Sequence, residues 1–303
     1  MLRRANWTCV HLISRHTVAQ NGLRRTNPVA ASVIAVNYEW EQLADRVYRC
    51  RLPFLDVTVG LVHGAAAVLL IDCGTTLAEA RGIAEDVREL TGAEVTHLVM
   101  THHHFDHILG SGGFPGAQTY ATAPVAEALS TGIDAVRAYA LQYGADSGDL
   151  DRAIAAVRVP DHVIWNADID LGDRSVDIDL GDRSVDIDLG DRSVDIDLGD
   201  RSVDIDLGDR SVRVEHVGRG HTDHDLIGVV PTSGPGPVVF CGDLLEESAD
   251  PAIDDGSDVA AWPQTLERVL AMGGDHARYV PGHGAVVDAE FVRRQRDWLA
   301  DRT

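Results

Sequence analysis

The chain has 303 residues, of which 45% are hydrophobic and 24% charged, which is an ordinary composition for one large globular domain or two small ones. Its formal net charge is −22, and such a surface repels phosphate backbones, so we expect no nucleic-acid partner. The 26 basic residues include no lysine, which excludes a Schiff-base lysine and a Walker-type phosphate lysine. No apolar run approaches the length of a membrane span, so we expect no membrane association.

The cysteines and the first residues bear on location. The four cysteines show no CxxC spacing, which predicts reduced thiols in a cytoplasmic protein. Residues 1–36 contain five arginines and no acid. This composition predicts a basic tail without fixed structure, and an arginine-rich targeting presequence is the alternative. We predict a folded domain over residues 37–303.

Hydrophobic periodicity predicts strands and helices that alternate along this domain. In chain order the expected elements are strands at 57–62 and 67–71, a helix at 76–90 with Gly92 just past its end, a strand at 94–100, helices across 122–158 with a break near 143–148, strands at 212–217 and 237–241, a helix at 262–272, a strand at 277–280 and a helix at 289–301. This alternation indicates an α/β fold.

Residues 168–212 are five perfect copies of the nonapeptide DIDLGDRSV. In an extended strand each copy places its apolar side chains on one face and its Asp side chains on the other, and the Gly-Asp step suits a two-residue type II′ hairpin turn. In that register Ile178 faces Val185, which is favourable, and Asp177 faces Asp186, which is not. We predict a hairpin insert in the domain, with a partly disordered insert as the alternative.

Histidines are concentrated at the end of one predicted strand. Four of the 14 histidines lie in the segment THHHFDH at residues 101–107, and the carboxyl ends of strands are where open α/β sheets bind ligands. Three later β-rich runs also end in glycine and a side chain able to bind metal, namely His221, Asp243 and His283. Neutral imidazole and carboxylate are ligands for zinc and similar divalent ions. The sequence therefore predicts a metal centre.

The motifs HHHFDH, GRGHTDHD, CGD and PGHG, in that order, resemble those of the metallo-β-lactamase-fold hydrolases over residues 37–303. The resemblance is nearest to the glyoxalase II-like and lactonase-like dinuclear branch. It implies a four-layer αββα sandwich with the site at one edge. It also implies one metal held by His102, His104 and His221, a second held by Asp106, His107 and His283, and Asp243 as the bridging ligand.

The function that this resemblance implies is hydrolysis of a small-molecule ester, thioester, lactone or amide through a metal-bound hydroxide. Two zinc ions are expected, with iron or manganese as alternatives, and Asp106 is the candidate catalytic residue. Asp72 is expected to support the site from behind its ligands, and His224 is either a second residue with that role or a surface residue. Arg219 could hold a substrate carboxylate or pair with a surface acid.

Other functions remain open at this point. One is a mononuclear iron dioxygenase of the persulfide type, which shares the fold and uses a subset of these ligands. Another is a β-lactamase, although the best-known class of these enzymes has other groups where His107 and Asp243 stand here. A third is a non-catalytic binding module built on the Asp-rich repeat. Oligomeric state has no sequence signal.

Overall fold

Two β-sheets form the centre of the fold. The computed structural model describes residues 37–164 and 201–302, together with three short strands outside those ranges. The first sheet contains, in spatial and chain order, β1 (Val33–Ala35), β2 (Glu39–Ala44), β3 (Val47–Arg51), β4 (Thr58–His63), β5 (Val68–Ile71), β6 (His97–Val99), β7 (Gln118–Ala121) and β8 (His162–Val163). Its neighbours are antiparallel from β1 to β5 and parallel from β5 to β8.

The second sheet carries the later part of the chain. It contains β11 (Ser202–Asp206), β12 (Ser211–His216), β13 (Leu226–Val230), β14 (Val238–Glu246) and β15 (Arg278–His283). The two preceding strands, β9 (Ser184–Asp188) and β10 (Ser193–Asp197), pair with each other in a separate two-stranded sheet. In the second sheet, neighbouring strands from β11 to β14 are antiparallel, and β14 and β15 are parallel.

Helices cover the outer face of each sheet. They are α1 (Leu77–Thr91), α2 (Phe105–Ile108), α3 (Ala123–Ser130), α4 (Ile133–Gln142), α5 (Ser147–Ile154), α6 (Trp262–Gly273) and α7 (Ala289–Ala300), and a 3₁₀ turn at Leu109–Gly113 follows α2. None of the helices in the described ranges is long and apolar enough to cross a bilayer.

Three separate apolar layers hold these elements together. Strand β5 shows why: Leu70 points into the layer beneath α1, while Leu69 points into the layer between the two sheets. A strand buried on both faces reads as a continuous apolar run, as VLLI does here. The third layer packs the second sheet against α6 and α7 through residues such as Trp262 and Val292. The four-layer αββα architecture is therefore confirmed.

The sequence signals for the two ends of helix α1 predicted its position correctly. Thr76 caps the helix by accepting a hydrogen bond from the backbone N–H of Glu79, whose carboxylate in turn accepts one from the N–H of Thr76. Gly92 ends the helix in the left-handed conformation, with φ 72°. The predicted helix at 76–90 is thus confirmed to within one residue at each end.

Other boundaries differ from the predicted ones. β14 continues through Asp243 to Glu246 instead of ending near Cys241, and β15 includes His283. Both ligands therefore lie on strands, where the register between β14 and β15 is irregular, and not on loops beyond them. The short strand β1 lies inside the segment predicted as a tail, where the side chains are not described.

The repeat forms hairpins where the structure describes it. β9 and β10 pair with Val194 opposite Ile187 and Asp195 opposite Asp186, the predicted register moved along by one copy. The specific pairing of Asp177 lies outside the described residues. At the last copy, Gly208 has φ +102°, the positive value that a type II′ turn needs at its first loop position.

The last copy is part of the core. Its Ile205 and Leu207 side chains are buried between the two sheets. The carbonyl of Leu207 accepts a hydrogen bond from the N–H of Ala66 at 2.9 Å, and Asp209 accepts one from the N–H of Ala65 at 2.7 Å. This hairpin therefore joins the second sheet to the turn between β4 and β5.

Candidate metal centre

The predicted ligands come together in two clusters. In the first cluster His102, His104, His221 and Asp243 have ligand atoms within 4.8 Å of one another, and in the second cluster Asp106, His107 and His283 satisfy the same limit. The four ligands between residues 102 and 107 follow β6. His221 follows β12, Asp243 lies on β14 and His283 lies on β15. Both sheets therefore contribute to one site at their shared edge.

Asp243 lies between the two clusters. Its Oδ2 is 3.6 Å from Nε2 of His102 and 3.5 Å from Nε2 of His221, both in the first cluster. The same carboxylate reaches the second cluster, with Oδ1 3.2 Å from Nε2 of His107 and Oδ2 3.3 Å from Nε2 of His283. A carboxylate in this position is able to bridge two ions.

The donor atoms fit a divalent metal. Nε2 of His102, Nε2 of His107 and Oδ1 of Asp243 are buried and lack a hydrogen-bond partner. Buried polar atoms in proteins are nearly always paired, so these unpaired atoms, which belong to the two clusters, indicate that partners are missing there. Imidazole nitrogens and carboxylate oxygens together form the donor set of zinc and related ions.

Partners on the outer side orient four of the ligand histidines. Nδ1 of His107 lies 2.9 Å from Oδ2 of Asp72, and Nδ1 of His102 lies 3.0 Å from Oγ1 of Thr101. Nδ1 of His221 and Nδ1 of His283 lie 3.1 Å and 2.8 Å from the backbone carbonyls of Ala252 and Leu55. These contacts leave Nε2 of each ring facing the centre.

The charges inside the site are unevenly distributed. Burial lowers the pKa of both His102 and His221, the latter to about 4, so these rings are neutral at neutral pH, the form that binds metal. Burial would also lower the pKa of His107 and His283. The carboxylate of Asp243, together with that of Asp106 and, at His107, that of Asp72, outweighs that effect: the pKa of His107 is raised well above its usual value and that of His283 to about 10. Divalent ions would replace these protons beside the carboxylate.

The position of Asp243 requires a glycine on the neighbouring strand. A Cβ atom built on Gly282 would lie 1.8 Å from Oδ1 of Asp243, which is inside van der Waals contact. The PGH segment therefore leaves room for the carboxylate and supplies His283 in the next position.

Other predicted site residues have mixed placements. Asp72 lies behind the ligands, where it also accepts hydrogen bonds from the N–H and Oγ1 of Thr101. His224 is buried, and it bonds to His103 at 3.0 Å and to Asp223 at 2.6 Å. The guanidinium of Arg219 lies 3.9 Å from Asp258, so the pairing with a surface acid is present.

Sequence reasoning missed several residues around the site. Asp254, in the loop between β14 and α6, lies with Oδ2 3.6 Å from Nε2 of His104. The Tyr139 ring packs against the His104 ring with centroids 5.4 Å apart, and its hydroxyl is 3.1 Å from that of Tyr143. The helical pattern at 122–158 was a signal for α4, but it did not indicate that α4 borders the metal centre.

Comparison with known proteins decides the family. The profile of the Metallo-beta-lactamase superfamily matches residues 52–283, which include every ligand described above. The chain belongs to the metallo-β-lactamase superfamily. Members of this superfamily are mostly hydrolases, and with the two clusters the membership supports a metal-dependent hydrolase that binds divalent metal.

Individual relatives are more distant. A metallo-β-lactamase type 2 from Bacteroides fragilis is 30% identical over 83 residues, which cover 27% of this chain and 32% of that protein. The match thus spans about a third of that relative.

Solved structures extend the likeness to most of the fold. The DIM-1 metallo-β-lactamase exposed to ceftazidime matches 90% of this chain and all of its own, with a TM-score of 0.60 and 13% identity. A metallo-β-lactamase from Erythrobacter litoralis with β-mercaptoethanol in its active site matches 89% of this chain and all of its own, at TM-score 0.58 and 14% identity. VMB-1 at pH 5.5 matches 88% of this chain and 97% of its own, at TM-score 0.56 and 16% identity.

Proposed function

We propose that the protein is a dinuclear zinc-dependent hydrolase of small-molecule esters, thioesters, lactones or amides. The observation that carries this proposal is the placement of Asp243, whose carboxylate reaches histidines of both clusters within 3.2–3.6 Å. A site for one ion would not need a carboxylate shared in this way. Bound divalent ions would supply Lewis acidity, which polarises a carbonyl oxygen and lowers the pKa of water.

Asp106 is the protein group best placed to hold a proton during the reaction. Its Oδ2 lies 3.6 Å from Nε2 of His283 and 3.8 Å from Nε2 of His107, so it faces the centre from the second cluster. A carboxylate in that position would help to hold the second metal, and it can orient a nucleophilic water and accept its proton.

A covalent route through cysteine is disfavoured by burial. Cys73 and Cys241 have no exposed surface, and burial raises the pKa of both thiols well above the usual value. Buried, protonated thiols are inert as nucleophiles. The proposed reaction is therefore direct attack by water and does not use either of these thiols as a nucleophile.

The surroundings of His104 suggest part of the substrate. Tyr139 lies against His104, and Tyr143 beside it is half exposed. Aromatic surface next to the reacting centre suits an apolar substituent on the substrate.

β-Lactam hydrolysis is the second candidate. The relative from Bacteroides fragilis favours it, because that protein is a metallo-β-lactamase. The presence of both His107 and Asp243 favours the broader hydrolase reading, since the best-known β-lactamase class has other groups there.

Metal analysis and a substrate panel test the proposal together. Purified protein is stripped of metal, reloaded with zinc, and assayed on esters, thioesters, lactones and β-lactams. We expect about two zinc ions per chain and hydrolysis of a non-β-lactam carbonyl compound, with His104→Ala inactive and Cys241→Ser active. A single iron with oxygen uptake would establish the persulfide-type dioxygenase instead, and trapping of substrate on a side chain would exclude direct attack by water.

A further inference from the structure

His104 differs from the other ligand histidines in the nitrogen that it presents. Its Nδ1 lies 3.0 Å from Nε2 of His221, inside the first cluster, so Nε2 of His104 points outward. The four other ligand histidines present Nε2 inward and have an outer partner on Nδ1. A histidine that binds through Nδ1 needs its outer partner at Nε2 instead.

The loop between β14 and α6, residues 247–261, supplies the groups on this outer side. The carbonyl of Ala252 accepts from Nδ1 of His221, and Oγ of Ser257 donates to the backbone carbonyl of His221 at 2.8 Å. Asp254 lies between these two anchor points. The loop is therefore fastened to the first cluster at His221, next to the ring of His104.

The carboxylate of Asp254 is held by the same loop. Its Oδ1 accepts a hydrogen bond from the N–H of Gly256 at 2.8 Å, and the N–H of Asp254 donates to Oγ of Ser257 at 3.1 Å. The second oxygen, Oδ2, is left toward Nε2 of His104 at 3.6 Å. Because Oδ1 is fixed, the direction of Oδ2 is fixed as well, unlike that of an ordinary surface acid.

We propose that Asp254 is a positioning residue for the first metal: it holds the His104 ring with Nδ1 turned toward the ion, in the way that Asp72 holds His107 for the second. This inference rests on the proposed metal binding but not on the substrate or the reaction. Asp254 acts through His104 and contacts neither substrate nor reacting atoms.

Stepwise zinc affinity is the decisive measurement, obtained by competition with a chromophoric chelator on metal-free protein. We expect Asp254→Asn to weaken one of two zinc sites roughly 10–100-fold and to leave the other unchanged. Asp254→Glu should restore part of the loss. Asp255→Asn is the matched control, because Asp255 is an exposed acid on the same loop, and it should bind zinc like the wild type.

A second-cluster variant assigns the affected site. In His283→Ala the first cluster remains, so adding Asp254→Asn should weaken the remaining site by the same factor. Unchanged zinc affinity in Asp254→Asn, with two sites intact in the wild type, would overturn this inference and leave the proposed function standing. A wild type that binds no zinc would overturn both.

Discussion

At the scale of single residues, one buried carboxylate organises the site. The carboxylate of Asp243 makes the largest contribution that raises the pKa of His107 and His283, while burial lowers the pKa of His102 and His221. The same atoms are thus prepared for a divalent ion in two ways: neutral donors on one side, and negative charge in the middle.

Removal of that carboxylate should separate the two metals. We expect Asp243→Ala to lose the ion of the second cluster first, because that ion would then be held by His107, His283 and only one anionic ligand, Asp106. Metal counts by elemental analysis after dialysis against weak chelator should fall from about two to about one. Full occupancy in this variant would contradict a bridging role.

A buried histidine outside the clusters should make stability depend on pH. Nδ1 of His216 donates a hydrogen bond to the backbone carbonyl of Asp225 at 3.0 Å, and burial lowers the pKa of His216 from 6.5 to about 4. Because its folded-state pKa is lowered, the unfolded chain binds more protons between these values, and stability falls as the pH drops from 6.5 toward 4. At pH 4.5 this cost is about 2–3 kcal/mol.

Urea unfolding at pH 7.5 and pH 4.5 measures this effect. His216→Gln keeps a hydrogen-bonding side chain that does not titrate, so the variant should lose less stability than the wild type between the two pH values. Both proteins are compared at the same free-metal concentration, so that protonation of the ligand histidines cancels. An identical pH dependence in both would remove His216 as the cause.

At the scale of elements, the sequence predicted correctly which segments carry the ligands, but it predicted the ends of the strands β14 and β15 less accurately. The His-rich motif and the Gly-His and Gly-Asp steps identify side chains, and these came together. Strand β2 was missed because its EWEQLA pattern mixes buried and exposed positions and lacks a clear alternation. The outer partners of His221 and His283 could not be predicted, because a backbone carbonyl belongs to every residue and leaves no mark in the sequence.

The repeat supplies an unusual internal control for one contact. Asp209, in the last copy, pairs with Arg46 and accepts from the N–H of Ala65, and the Arg46 side chain lowers its pKa to about 2. Asp209→Ala should lower the Tm by a few degrees at pH 7 because the hairpin loses its contacts with the turn after β4. The same change at Asp182 alters an identical sequence in another copy.

Thermal unfolding of the two variants separates context from composition. We expect Asp182→Ala to leave the Tm close to that of the wild type. Below pH 3.8 the difference at Asp209 should shrink, since a carboxyl with a lowered pKa stabilises the fold above that value and loses its effect as the pH falls toward 2. An equal change in Tm in both variants would mean that the contact between Asp209 and Arg46 does not contribute to thermal stability.

At the scale of the whole molecule, the perfect copies indicate which part of the array the fold needs. Joining Val176 to Arg213 deletes residues 177–212 and leaves one copy of the repeat. Val176 then precedes Arg213, just as Val212 does in the full chain. That copy can form the β11–β12 hairpin. Loop length itself costs little, about 0.6 kcal/mol for each doubling. We therefore expect zinc content and hydrolysis nearly equal to those of the wild type.

A longer deletion is the contrast. Removal of residues 168–212 takes away all five copies, including the buried Ile205 and Leu207, and should destabilise the protein strongly. The shorter deletion also removes eight net negative charges, two for each copy, which native gel mobility will show. A folded shorter variant that holds both metals but has no activity would mean that the array shapes access to the site.

The parallel pairing of β14 with β15 has a consequence for how the protein is made. His102 and His283 are far apart in the chain, and β15 reaches its place only after α6 has been synthesised and has crossed over the second sheet. A nascent chain that stops before β15 can present the motif after β6 but lacks His283 and the strand beside Asp243. On the proposed dinuclear site, the second cluster would therefore be completed late in biogenesis, after the first, because only the second takes a ligand from β15.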